Sequence, residues 1–135
     1  MKVPIERAQK SSLLVSAERR RFDEVKVLFL PEVENYLYEL IEILFRKEYF
    51  GFKESAVKYV IDFEKDITTN LPNKVRHPAP PYFDRYGKGM FYASFRKNKT
   101  TQWYVFFNIY AENVEMVYLV RYVSNNHAIA QFLFD

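Results

Sequence analysis

The sequence predicts a single α+β domain: an N-terminal strand, an αα-hairpin, then a three- to four-stranded antiparallel sheet. Three observations predict it. Two segments carry apolar residues at helical spacing. Three later segments read as strands separated by short polar breaks. The length of 135 residues suits one domain. Eleven Tyr and thirteen Phe supply the core, each ring able to bury roughly 150–250 Å².

Residues 1–24 show no sustained period and are expected to be an N-terminal extension, either a mobile leader or a short helix over 13–21. The domain proper is expected over 25–135. Val25 to Leu30 is a β-rich run and reads as its first strand. Pro31 then breaks the ladder and opens a helix, where its missing N–H is no loss. Val33, Tyr36, Leu37, Leu40, Ile41, Leu44 and Phe45 form one helical face. Glu32 and Glu34 in the first turn, with Arg46 and Lys47 in the last, suit the helix dipole, and Gly51 is the expected stop. In the second helix Ala56, Val57, Val60, Ile61 and Ile67 share a face, flanked by Tyr59 and Phe63; it ends ahead of Pro72.

Residues 71–89 hold most of the prolines and form a long loop, a kind of segment that is often functional. Strands follow at 90–97, 102–111 and 116–124 in two consecutive hairpins. The middle one, Trp103 to Tyr110, is apolar on both faces, which predicts a central strand covered on both sides. The tail from Asn125 reads either as a short helix with Asn126 as N-cap or as a last edge strand.

The net charge of +3 conceals an uneven distribution. Residues 25–71 carry six basic and nine acidic side chains, a net of −3. In 72–99, Lys74, Arg76, Arg85, Lys88, Arg96, Lys97 and Lys99 face Asp84 alone, a net of +6. Such a segment favours a polyanion or an acidic partner, and serves equally well as a solvated loop. The absence of cysteine excludes disulfides, thiol catalysis and thiolate metal sites. No apolar run approaches the roughly 18 residues of a membrane span, and the N-terminus lacks a signal-peptide core. The expectation is a soluble, cytoplasmic protein without a cofactor. His77 and His127 lie too far apart in sequence for metal-ligand spacing.

The order of strand, helical hairpin, basic loop and antiparallel meander resembles the RelE/ParE superfamily of toxin–antitoxin toxins. The most specific stretch is GMFYASFRKNKTTQWYVFFNIYAENVEMVYLVRYVSNNHAIAQFL, from Gly89 to Leu133. There a strand ending in a basic residue precedes an aromatic-rich strand, a short acidic turn and a V-Y-L-V strand. The resemblance implies the toxin of a type II toxin–antitoxin system, acting on the ribosome as a metal-independent mRNA endonuclease or as an inhibitor of DNA gyrase. It implies a cognate antitoxin as partner. A second copy of the chain is an alternative cover for the sheet.

RNA cleavage by 2′-OH attack needs a base, cations for the pentavalent phosphate and an acid. Arg96 matches the basic residue that ends the family's second strand, and Arg can hold a phosphate with two hydrogen bonds. Arg121 stands out in an apolar strand; alternation sets it with Val117, Leu119 and Val123, as a phosphate ligand or paired with a carboxylate such as Glu64 or Asp66. His127 has the intrinsic pKa for acid–base work, or is a surface or capping residue. Lys97, Lys99, Arg85 and Lys88 extend the charge as contacts to RNA or a partner. Tyr104 and Tyr122, with Phe106, Tyr110 and Tyr118, could make a base-stacking platform or could be core. Where ribosome-dependent members carry basic residues on the first two hairpin strands, this chain has Tyr92, Ser94, Trp103 and Tyr104. That shifts the expectation toward a non-hydrolytic inhibitor, or toward a protein-binding domain that keeps the fold without toxicity.

Overall fold

A computed structural model describes residues 24–47 and 50–128. The element order is β1 (Glu24–Phe29), α1 (Pro31–Arg46), α2 (Lys53–Asn70), a 3-10 turn at Leu71–Asn73, β2 (His77–Pro78), a second 3-10 turn at Pro81–Arg85, β3 (Phe91–Arg96), β4 (Gln102–Glu112) and β5 (Glu115–Asn125). The expected helix over 13–21 lies outside the described residues.

The mixed α+β architecture agrees with the sequence reading, but the sheet is larger and is not wholly antiparallel. It has five strands in the order β1-β5-β4-β3-β2. β1 pairs in parallel with β5, from Glu24 opposite Glu115 to Phe29 opposite Val120. The remaining pairs are antiparallel, and β4 is the central strand. The extra strand is β2, two residues long on the outer edge of β3, where Pro78 is tolerated because no further strand among the described residues needs its missing N–H. Parallel pairing of β1 follows from the helical hairpin, which carries the chain back along one face of the sheet before the meander begins.

Pro31 sits at the start of α1, and the carbonyl of Leu30 accepts from the N–H of Val33 and of Glu34. Val33, Leu37 and Leu40 are its buried stripe. The helix ends at Arg46, short of Gly51, whose backbone is not left-handed and serves as no stop signal. In α2 the buried stripe is Ala56, Val60, Phe63 and Ile67. Phe63 is therefore a central core residue, whereas Ile61, expected on the buried face, is exposed. The stripe follows i, i+4, i+7, i+11, and Ile61 falls on the next row round the helix.

The helices cover one face of the sheet. Phe63 packs on Trp103 with ring centroids 5.0 Å apart and edge-on to Phe95 at 6.3 Å. Ala93, Val105, Phe107, Tyr118, Val120 and Val123 complete this core from the strands. The indole N–H of Trp103, itself 2% exposed, donates to the Tyr59 hydroxyl at 3.0 Å. Three cations of the basic segment close the rim: Lys74 lies over the Phe95 ring, Arg76 over Phe91, and Lys97 over Phe63 and Tyr59. Much of the +6 segment thus packs its charge on aromatic faces, at about 0.5–1 kcal/mol each in exposed settings.

Among the described residues, no helix is long and apolar enough to cross a membrane.

Candidate functional site

The second face of the sheet carries the aromatic rows. It is covered by the chain itself. Pro80 and Pro81 start a tight turn, with Phe83 N–H donating to Pro80 and Tyr86 N–H to Phe83. That turn lays Phe83 on Phe106, with centroids 4.4 Å apart and planes inclined by 26°. Tyr86 stacks on Tyr122 at 3.8 Å and 7°. Phe83, Met90, Tyr104 and Phe106 form a second, smaller core, with Tyr92 and Tyr122 packed against it. The proline-rich stretch is thus a fixed cover. Tyr104, at 5% exposed, is unavailable for stacking a base. Burial pushes the Tyr104 hydroxyl above the ordinary tyrosine range, with Tyr92 adding to the effect.

The platform also divides at a β-bulge. Phe106 is opposite Tyr122, but Phe107 is opposite Val120, so Arg121 has no partner in the ladder. Tyr118, before the bulge, belongs to the helix-side core, while Tyr122, after it, belongs to the second face. Simple alternation fails there. Val123, expected on the same face as Arg121, packs against the helices.

Arg121 turns toward β4. Its Nε donates to Asn108 Oδ1 at 2.5 Å and its Nη2 to the Tyr110 hydroxyl at 3.0 Å. Neither Glu64 nor Asp66 is its partner. The Asn108 amide in turn donates to the Lys88 carbonyl at 3.1 Å, tying the 86–89 loop to the sheet. Gly87 makes room for this arrangement: a Cβ there would lie 2.5 Å from Arg121 Cδ.

Arg96, Lys99 and His127 gather at the far end of the sheet. Arg96 is exposed at the end of β3, donating from Nε to the Asn98 carbonyl at 3.1 Å and from Nη2 to the Lys99 carbonyl at 3.4 Å. Its guanidinium thus braces its own hairpin turn. The Asn98 side chain accepts from both Thr100 and Thr101 N–H groups within that turn. Asn126 reaches across from β5, accepting from Gln102 N–H and donating to the Thr100 carbonyl. The helical turn beginning at 126 is capped by Asn125, not Asn126: the Asn125 carboxamide oxygen accepts from His127 and Ala128 N–H groups. His127 is exposed beside this clamp.

Register fixes the spacing. Arg96 is opposite Gln102, and Gln102 is bonded to Asn126, so the Arg96 and Asn126 backbones lie two strand spacings apart, roughly 10 Å. Arg121 is five residues farther down β5, roughly 16 Å away. The structure brings Arg96, Lys99 and His127 to one end and leaves Arg121 in the middle of the sheet under the loop. Lys97 is on the opposite face. Arg85 donates to the Tyr82 carbonyl and lies 3.8 Å over its ring, while the Lys88 side chain is exposed. Asn108, Gly87 and Asn126 organise these groups. Position in an apolar strand was the one sequence signal for Asn108.

A cleft of about 430 Å³ opens where β5 continues beyond the end of β1; Tyr36, Arg85, Tyr86, Arg121, Tyr122 and Ser124 line it. Among the described residues, no group of three His, Asp or Glu is placed to hold a metal ion. Comparison of the chain with protein-family models, curated proteins and solved structures finds no match.

Proposed function

We propose that this chain is the toxin of a type II toxin–antitoxin pair, of RelE/ParE type, and that it arrests growth by binding its target rather than by cutting RNA. The observation that carries the non-hydrolytic reading is the engagement of both nominated guanidinium groups. Arg121 is held by Asn108 and Tyr110, and Arg96 by carbonyls of its own turn. A phosphate transition state needs cations aimed at it and not already satisfied. The aromatic face, moreover, is closed by Phe83 and Tyr86 instead of being open to stack bases. DNA gyrase is then the favoured target, and a cognate antitoxin the partner that silences the toxin.

The test is expression of the full chain from a tightly repressed promoter. Growth arrest, loss of supercoiling by purified gyrase, intact translated messages by primer extension, and toxicity retained in Arg96→Ala together support the proposal. One observation favours ribosome-dependent cleavage as a second reading: Arg96, Lys99 and His127 share one end of the sheet. Cleaved messages that become intact in His127→Ala would establish that reading instead. Undisturbed growth without any antitoxin would leave a protein-binding domain that keeps the fold alone.

A further inference from the structure

The cations of the basic segment fall into two groups. Arg85 and Arg96 donate to backbone carbonyls close to their own positions. Lys74, Arg76 and Lys97 instead lie over rings along the β2–β3 edge of the sheet, on the helix side. Lys74 Nζ is 4.5 Å from the Phe95 centroid, Arg76 Cζ is 5.0 Å from that of Phe91, and Lys97 Nζ is 5.4 Å from that of Phe63. Phe91 and Phe95 share one side of β3, four residues and so roughly 13 Å apart. Phe63 adjoins Phe95 with centroids 6.3 Å apart. The three cations therefore form a row along the rim.

This row carries uncompensated charge. Three other lysines are paired: Lys26 with Glu115, Lys53 with Glu42 and Lys58 with Asp62. Among the described residues, neither Lys74, Arg76 nor Lys97 pairs with a carboxylate. Of the acids on the flank of α2, Asp62 is bonded to Lys58 at 2.8 Å and Asp66 accepts from the Asn70 amide. Lys58, and Lys97 more weakly, hold the Asp62 carboxyl below its ordinary range. A ring face attracts a cation without neutralising it and without using its N–H groups. The row is also fixed in place. Lys74 N–H donates to the Leu71 carbonyl at 3.1 Å and Lys97 N–H to the Thr101 carbonyl at 3.0 Å, while His77 pairs opposite Tyr92. Lys74 and Lys97 are half-buried against their rings, so less side-chain freedom is left to lose on binding. Val75 is 76% exposed, and Arg76 and His77 are exposed beside it, so no described element covers this edge.

We propose that this row is a docking strip for the phosphodiester backbone of a nucleic-acid duplex, engaged without regard to base sequence. A straight row of fixed cations suits an anion whose charges repeat along a line. In one strand of B-form DNA they recur about every 3.4 Å along the axis, so the span from Phe91 to Phe95 covers about four phosphates. Single strands are held by stacking bases on exposed rings, and here the cations already occupy the ring faces. That favours a duplex. The strip lies on the opposite face of the sheet from Arg96, and the inference does not depend on the proposed toxicity.

The test is binding of the full-length protein to DNA and RNA duplexes of about 20 base pairs, measured by anisotropy across a salt series. Replacing the three cations together (Lys74→Gln, Arg76→Gln, Lys97→Gln) keeps aliphatic stems on the rings. It should weaken binding at least tenfold at about 50 mM salt and make the slope of log K against log salt shallower by about 2.7. Each single substitution should change the slope by about 0.9. Removing the same charge from paired lysines (Lys26→Gln, Lys53→Gln, Lys58→Gln) should leave the slope as it is. Trp103 fluorescence in urea verifies that every variant is folded. Binding of either duplex supports the strip, and the two arms tell the DNA backbone from the RNA backbone. Five results would overturn the proposal: no binding of either duplex, a slope unchanged by the first set of substitutions, an equal loss from the second set, tighter binding of a single strand, or poly-glutamate held as tightly as a duplex and lost with the same substitutions.

Discussion

Substituting Gly87 by alanine tests whether Arg121 is locked beneath the 86–89 loop. The new methyl carbon would lie 2.5 Å from Arg121 Cδ and 3.2 Å from Met90 Sδ, where carbon contacts settle near 3.5–4.0 Å. Relief therefore takes about 1 Å of movement by the arginine stem or the loop. A 1 Å shift breaks the 2.5 Å bond to Asn108 and stretches the one to Tyr110. Hydrogen bonds from a charged donor contribute about 1.5–3 kcal/mol each, and the partial exposure of Arg121 places these at the low end. Overpacking costs of about 1–3 kcal/mol span the same range. Alanine stiffens the unfolded chain and returns about 0.4–1 kcal/mol, since the Gly87 backbone is not left-handed. The expected net loss is about 1–2 kcal/mol. Trp103 is the sole tryptophan and is 2% exposed, so urea unfolding followed by its fluorescence reads the change as a shifted midpoint with unchanged slope. In an Arg121→Ala background the same substitution should become neutral or slightly stabilising. An equal cost in both backgrounds, with coupling below about 0.5 kcal/mol, would show that the glycine serves something other than passage of Arg121.

Phe63→Ala removes a fully buried ring between Phe95 and Trp103 and should cost about 3–5 kcal/mol in the same unfolding assay; Ile61→Ala, on the exposed side of the same helix, should cost far less. Tyr59→Phe leaves the buried Trp103 indole N–H without its acceptor, a loss of about 1–3 kcal/mol accompanied by a change in the emission maximum. Asn126→Ala releases both Thr100 and Gln102, and hydrogen exchange should accelerate over 98–102 while β1 is unaffected. Burial raises the hydroxyl pKa of Tyr36 and of Tyr104. Their folded values thus exceed the unfolded value of about 10, so stability is constant below that pH and declines as pH rises through the folded values. Tyr104→Phe should flatten the decline in urea midpoint, and an unchanged slope would exclude its burial as the cause.

Local features were legible in the sequence, and pairing was not. The helical stripes, Pro31 as an opener and the Asn113 turn, whose φ of 54° asparagine tolerates, follow from short-range chemistry. So does the double-sided burial of β4. The parallel union of β1 with β5 left no trace in periodicity, which records which side of a strand is apolar and not what lies beside it. The bulge at Arg121 was equally hidden: one extra residue reverses the facing of everything after it, which separated Tyr118 from Tyr122 and moved Val123 to the helix side. Cover for the second face was expected from an antitoxin or a second copy. Phe83 and Tyr86 provide it, because two prolines bend their segment back over the sheet. Among the site residues, the proximity of Arg96 to His127 depends on Asn126, whose side chain reaches 26 positions back to Thr100, a contact no local pattern encodes.

The parallel pairing of β1 with β5 also sets an order of events during synthesis. Glu24 meets Glu115 and Phe29 meets Val120, each 91 positions later. The first strand therefore emerges from the ribosome long before β5, and closing so large a loop is slow. Until β5 arrives, the helical hairpin has no complete sheet to cover, and its apolar stripe is open to chaperones and to other nascent chains. Completion of this sheet is thus withheld until β5 has been made. A chain truncated before Glu115 would lack the strand that joins β1 to β4 and could not close this sheet.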